Sequence, residues 1–230
     1  MSRQVGSGSW LASGVARALL VLALVAVGLA FAAPPAQAVV YNLTSDHCTG
    51  SCGTPPFGTV TVTDDGAGGV NISVHLLNGN QYVETGAGDD LAFKFNATGV
   101  VLGDITVSQT AGVGNTLTAV TGSFSGDGTG DFSFGIKCTG VCGPGGSDPW
   151  GPDISFHINS ATVAEVTGTN NNGNVFVADI LSAQTGNTGP VDATTATTSV
   201  PEPGTLVLLG TGLVGLAFAA RPRWFRGRKR

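Results

Sequence analysis

The stretch Val70-Asn71-Ile72-Ser73-Val74-His75-Leu76 alternates strictly between apolar and polar residues. In an extended chain, a period of two places the apolar side chains on one side and the polar side chains on the other. The same alternation recurs at 59–63, 91–95, 132–136, 154–158 and 176–180. Strands with this pattern have one buried face and one face in water. The pattern therefore predicts packed sheets with their polar faces outward.

Turn residues separate these segments. Asp65-Gly66, Asn78-Gly79 and Asn172-Gly173 are typical of hairpin turns, and the chain contains 36 glycines. No segment between the two ends has the period of an amphipathic helix. We therefore expect an all-β ectodomain over 39–185, folded as an antiparallel β-sandwich that is jelly-roll-like. The pattern does not predict the order of the strands.

The N-terminus has the three parts of a secretory signal peptide. Arg3 and Arg17 precede an apolar run at 18–33, and Ala36-Gln37-Ala38 follows it. Small residues at Ala36 and Ala38 suit the two positions that signal peptidase recognises. We predict that 1–38 is a signal peptide and that the mature chain begins at Val39. An uncleaved membrane anchor is the alternative.

The C-terminus also has three parts. Val200-Pro201-Glu202-Pro203 precedes an apolar stretch at 205–220, and six basic residues lie within 221–230. A helix of about 16 residues spans roughly 24 Å, which is short for a membrane, but flanking residues can extend the span. The basic cluster predicts a cytoplasmic C-terminus, which places the ectodomain on the far side of the inner membrane. The Gly- and Thr-rich segment 186–199 has no strand period, and we interpret it as a spacer.

The order Pro-Glu-Pro, short apolar helix and basic terminus over 200–230 resembles the sorting tail of PEP-CTERM proteins. The resemblance implies that exosortase recognises Pro201, Glu202 and Pro203 and processes the anchored precursor. It also implies delivery to the cell surface or extracellular matrix, typically in bacteria that make extracellular polysaccharide and biofilm. An ordinary single-span anchor is the alternative.

The charge distribution argues against binding to nucleic acid. Between Val39 and Val200 the chain has 14 acidic residues, and its basic residues there are Lys94 and Lys137. An acidic surface repels a phosphate backbone.

The four cysteines form two similar units, Cys48-Thr-Gly-Ser-Cys52 and Cys138-Thr-Gly-Val-Cys142. An exported protein meets an oxidising environment, so we expect disulfides. Two local pairs are the simplest connectivity, although crosswise pairing stays open. A four-thiolate zinc site is the alternative.

We expect no catalytic, metal or cofactor site. Ser, His and Asp are present, but no Gly-x-Ser-x-Gly elbow presents a nucleophile. His75 and His157 lie at outward strand positions, where a solvated histidine is the ordinary outcome. His47 adjoins Cys48, which leaves a metal site as the alternative there. Acidic pairs at 64–65, 89–90 and 127–131 favour turns, with calcium as the alternative. Trp150 could offer its ring to a sugar, although amphipathic rings also cap hydrophobic cores.

Taken together, the sequence predicts a non-enzymatic exported surface protein, processed by signal peptidase and exosortase and associated with extracellular polysaccharide. The first alternative is a carbohydrate-binding module, which would show a row of exposed aromatic side chains. The second is a secreted hydrolase, in which His75, His157 or Asp131 would converge with a nucleophile.

Overall fold

The computed structural model describes residues 37–85, 90–109, 114–140, 142, 147–151 and 153–201, and for residues 37 and 197–201 it describes the backbone alone. The predicted signal peptide up to residue 36 and the predicted membrane span at 205–220 lie outside these ranges. Within them, no helix is long and apolar enough to cross a membrane.

The described chain forms strands and two very short helical segments. The strands are β1 (Gln37–Leu43), β2 (Ser45–Asp46), β3 (Gly58–Asp64), β4 (Val70–Leu76), β5 (Gln81–Tyr82), β6 (Phe93–Phe95), β7 (Ile105–Val107), β8 (Thr116–Ser125), β9 (Asp131–Thr139), β10 (Asp153–Ile158), β11 (Phe176–Leu181), β12 (Thr188–Ala193) and β13 (Ala196–Pro201). A 3₁₀ turn covers Leu102–Asp104, and α1 covers Val163–Val166.

All described pairings are antiparallel and build two sheets. Sheet A has the order β13-β1-β3-β4-β10-β7. Sheet B has the order β2-β12-β11-β6-β9-β8, and β5 also pairs with β11. The predicted all-β antiparallel architecture is confirmed, and the strand order is now defined.

The inner faces of the two sheets form one core. Along β4 every second residue is buried, and β3 repeats this pattern opposite it, with Val62 facing Ile72. Aromatic rings join the sheets, since Phe156 of sheet A lies 5.0 Å from Phe95 of sheet B, centroid to centroid. The period of two therefore identified the inward faces of these strands correctly.

Of the three predicted hairpin turns, one joins paired strands. Asp65-Gly66 lies between β3 and β4, which are neighbours in sheet A. Asn78 and Gly79 have positive φ and reverse the chain as expected, but they lead from β4 in sheet A to β5 in sheet B. Asn172-Gly173 lies between α1 and β11, so it does not close a hairpin either. Turn chemistry sets a local reversal, whereas the sheet that the next strand joins depends on the core.

The interpretation of 186–199 as a spacer is wrong. β12 pairs along its length with β11, and its residues from Gly189 to Ala193 are buried. β13 pairs with β1. A period of two appears only when one face of a strand is wet, and both faces of β12 are covered, so its sequence does not alternate.

Candidate functional site

The two predicted processing signals meet on neighbouring strands. β1 lies between β3 and β13, and its first residues carry the end of the signal peptidase site. In the register of β1 with β13, Gln37 faces Pro201 and Ala38 faces Val200. On its other side Ala38 faces Thr63 of β3. The backbone at the end of the predicted cleavage site is thus paired with the start of the sorting motif.

The sorting motif begins inside a strand. Pro201 ends β13, which is an edge strand of sheet A, and proline is tolerated there because one side of an edge strand needs no ladder hydrogen bond. Proline also keeps Val200 extended. The sequence predicts an exposed extended handle at this point. The extended backbone is confirmed for Val200 and Pro201, but it is paired with β1. Ala36, Glu202 and Pro203 lie outside the described residues.

Both predicted disulfides are present as local pairs. Cys48 is bonded to Cys52 and Cys138 to Cys142, with Cα atoms 5.3 and 6.1 Å apart. No described cysteine is free. The crosswise connectivity and the four-thiolate zinc site are therefore wrong, because each sulfur is already bonded within its own unit.

Asp46 organises the first disulfide loop. Its carboxylate accepts hydrogen bonds from the backbone N–H groups of Cys48 and Cys52 and from the hydroxyl of Ser51. Partial burial raises the pKa of Asp46, but these hydrogen bonds outweigh it and lower the pKa overall. The carboxylate and the two sulfurs lie within 4.8 Å of one another. Because the sulfurs form a disulfide, this group lacks the thiolates that a zinc site requires.

His47 contacts a serine and an aspartate without forming a catalytic relay. Its Nε2 lies 2.7 Å from Oδ2 of Asp192 and 3.2 Å from Oγ of Ser45. In a hydrolase triad the two ring nitrogens serve different partners, one taking the serine proton and the other donating to the acid. Here one nitrogen faces both, so donation to Asp192 prevents it from acting as a base toward Ser45. The arrangement anchors the segment after β2 to β12.

A buried polar cluster on the outer side of sheet B was not predicted. Lys94, Thr129, Asn174 and Asp192 are each at most 6% exposed. The amide of Asn174 donates to the carbonyl of Thr129 and to Asp192. The alternation around Lys94 correctly predicts that it faces away from the core, but loops cover that face. Nothing in the local sequence shows this, since the covering segments come from distant parts of the chain.

Aromatic side chains do not form an exposed row in the described part of the chain. Trp150 is 5% exposed, and its ring lies 4.7 Å from that of Tyr82. Of the two interpretations of Trp150, the structure supports a ring that caps the core and not a ring offered to a sugar. The large apolar side chains exposed among the described residues are Val101 and Leu102, neither of which is aromatic.

The outer side of sheet A is polar across β3, β4, β10 and β7, and we name this part of the sheet the polar face. Its side chains are Thr59, Thr61 and Thr63 of β3, Asn71, Ser73 and His75 of β4, Asp153, Ser155 and His157 of β10, and Thr106 of β7. They stand in rows across the strands, one of which contains Thr61, Ser73 and Ser155. A shallow groove of about 160 Å³ lies in this face.

Each histidine of the polar face is paired with an aspartate. His75 binds Asp153, which stands opposite it on β10. His157 Nε2 donates to Asp65 Oδ2 at 2.8 Å, and this hydrogen bond is the main reason that the pKa of Asp65 is lowered to about 2. The sequence places both histidines on the outer face correctly but does not show their partners.

The described acidic pairs act in turns. Asp64 accepts the N–H of Gly66, and Asp65 accepts those of Ala67 and Gly69. Asp131 accepts a hydrogen bond from the amide of Asn171, whereas Asp89 lies outside the described residues. These contacts support the turn interpretation, because the carboxylates are occupied by neighbouring donors.

The ends of the chain define a class of protein: an exported β-sandwich with a C-terminal sorting tail. The model of the PEP-CTERM protein-sorting motif matches residues 199–223. This match confirms the resemblance: the chain carries a PEP-CTERM sorting motif at its C-terminus. The motif implies an exported protein with a membrane-anchored precursor that exosortase processes. No curated protein and no solved structure matches the chain.

Proposed function

We propose that this chain is a non-enzymatic surface protein, and that exosortase delivers its β-sandwich to a matrix of extracellular polysaccharide, which the polar face binds. The observation that carries the proposal is the position of the sorting motif. The motif begins within β13, the last strand of the sandwich, and no spacer separates the two. Processing therefore transfers a folded domain with few additional residues.

The chemistry of the polar face supports the polysaccharide part of the proposal. Its side chains are six hydroxyls, an amide, two imidazoles and a carboxylate. The hydroxyls and the amide both donate and accept hydrogen bonds, as sugar hydroxyls do. Regular strand spacing of about 4.8 Å makes the face a repeating surface that suits a repeating polymer.

The same geometry disfavours the alternatives. A carbohydrate-binding module that stacks sugars on rings would need exposed aromatics, and those described are largely buried. A hydrolase would need a base free to receive a serine proton, whereas His47 shares one nitrogen between Ser45 and Asp192. We therefore place recognition in hydrogen bonding and assign no reaction to the ectodomain.

Replacement of Pro201-Glu202-Pro203 by three alanines tests the sorting part. Without the two prolines the segment can join the helix expected at 205–220, which hides its backbone from a protease. We expect the variant to accumulate at full length in the inner membrane, as measured by fractionation with an antibody against the ectodomain. The wild-type protein in cells that lack exosortase is the control and should behave in the same way. Surface delivery of the variant at wild-type levels would contradict the proposal.

Ser73→Arg tests the polar face. Ser73 is exposed and lines the groove, and a long cation there would block it. We expect the exported variant to bind about tenfold more weakly to polysaccharide purified from the producing cells, as the loss of one or two hydrogen bonds would produce. Thr118→Arg in β8 is the matched control, since Thr118 is also exposed in a strand but lies outside the polar face. Equal binding by the two variants in a sedimentation assay would refute this role of the face.

A further inference from the structure

We infer that removal of the signal peptide leaves the sorting motif without a strand partner, so that cleavage by signal peptidase precedes processing by exosortase. The inference rests on the proposed function, because it assumes that exosortase cuts this chain. It adds an order to the two processing steps and a structural reason for that order.

The register of β1 with β13 carries the inference. Gln37 and Ala38 face Pro201 and Val200, whereas Val39, Val40 and Tyr41 face residues 199, 198 and 196. Hydrolysis of the peptide bond between Ala38 and Val39 consumes one water and leaves a carboxylate on Ala38 and an amine on Val39. It therefore removes the partners of Val200 and Pro201 while leaving the rest of the pairing intact.

Because β13 lies at the edge of sheet A, removal of Gln37 and Ala38 leaves the end of β13 without another strand to pair with. In the described part of the chain, β1 is the one strand that pairs with β13. Once Gln37 and Ala38 are gone, Val200 and Pro201 have no strand partner, but residues 196–199 remain paired with β1. The sorting motif then begins on an extended segment that has no strand partner. The residues just before it, which are still paired with β1, hold that segment to the domain.

A paired strand is a poor protease substrate. Proteases take up an extended backbone through its own N–H and C=O groups, and a strand already in a sheet has those groups engaged. Cleavage then depends on the fraction of molecules in which the pairing has opened. In an unprocessed precursor, Gln37 and Ala38 therefore lower the fraction of chains in which the motif is accessible.

The same pairing covers the signal peptidase site. In the folded chain Ala38 is 9% exposed and lies between β3 and β13. Signal peptidase consequently acts before β13 has docked on β1, while the C-terminal segment is still unfolded. The order is then signal peptide removal, closure of the sheet, and exosortase cleavage.

Two variants of the full chain, both resistant to signal peptidase, test the order. Ala38→Val places a β-branched side chain where the peptidase needs a small one, and it keeps the strand. The double variant Gln37→Pro, Ala38→Pro also blocks the peptidase. Consecutive N–H groups of a strand point to opposite sides, so one of the two N–H groups at 37 and 38 faces β13. Because proline has no N–H, the double variant also removes this donor, whichever of the two it is. The double variant loses pairing that the mature protein also lacks, so its folding is not at risk.

The readout is loss of the C-terminal tail in exosortase-containing cells, followed with an epitope placed after Arg230. We expect Ala38→Val to be cleaved about tenfold more slowly than the wild type, the factor that about 1.4 kcal/mol produces. The double proline variant should be cleaved at nearly the wild-type rate, although it retains its signal peptide.

Wild-type cleavage of Ala38→Val would overturn the inference and leave the proposed function intact. Slow cleavage of both variants would also overturn it, because the retained N-terminal anchor would then be the cause. Failure of the wild-type chain to be cleaved would refute the proposed function itself.

Discussion

Glu84 is a carboxyl group that folding places away from water. It is 4% exposed, and it accepts a hydrogen bond from the backbone N–H of Cys138. Burial raises its pKa from the ordinary value of 4.5 to about 7. The Cys138 hydrogen bond and the charge of Lys137 oppose this shift, whereas Asp90 and Asp179 add to it. The protonated form of Glu84 is therefore favoured in the folded state.

This shift predicts a pH dependence of stability. Between pH 4.5 and about 7 the folded state holds a proton that the unfolded state releases, so the free energy of unfolding falls as pH rises through this window. Glu84→Gln keeps a carbonyl to accept the Cys138 N–H and removes the charge. We expect it to raise the free energy of unfolding by about 2 kcal/mol at pH 8 and by much less at pH 4.5. Urea unfolding of the exported form at both pH values measures this, and an equal effect at the two would contradict the assignment.

At the scale of elements, the two disulfides close loops at strand ends. Cys48–Cys52 follows β2, and Cys138–Cys142 closes the end of β9. Both strands belong to sheet B, and β2 is a two-residue edge strand with few hydrogen bonds of its own. Asp46 then fixes the backbone inside the first loop. The Cys48–Cys52 disulfide therefore restrains the segment after β2, which has few ladder hydrogen bonds to hold it in place.

Replacement of Cys48 and Cys52 by alanine should lower the free energy of unfolding by about 2 kcal/mol, the loop-closure contribution of a short disulfide. The same replacement at Cys138 and Cys142 should cost a similar amount. Unfolding of each exported variant with and without reductant measures the effect. A variant without any cysteine is the control, and reductant should not change its stability. A reductant effect of the same size on that variant would show that the loss has another cause.

At the scale of the whole molecule, the first and last strands of the described chain, β1 and β13, lie side by side in sheet A. Signal peptidase should cut after Ala38, since Ala36-Gln37-Ala38 is the small-x-small site that closely follows the apolar run. The mature N-terminus should then be Val39, which remains in β1 opposite residue 199. N-terminal sequencing of the exported form checks this. A start upstream of residue 33 would show that the apolar region has been misplaced.

Local patterns in the sequence determined several features of this protein. The period of two identified the inward faces of β3, β4 and β10, and the spacing of the cysteines indicated two local disulfides. The order of parts in the tail identified the sorting motif. Each of these signals lies within a few consecutive residues, so it can be interpreted without knowing what the segment packs against.

The tertiary structure alone decided the features that depend on contacts between distant segments. It made strands of 188–193 and 196–201, which lack alternation, and it buried Lys94 and Asp192 beneath loops. It also paired the predicted signal peptidase site with the sorting motif, although these lie at opposite ends of the described chain. A strand with both faces covered carries no local period, and the identity of its partner depends on the closure of the whole sandwich.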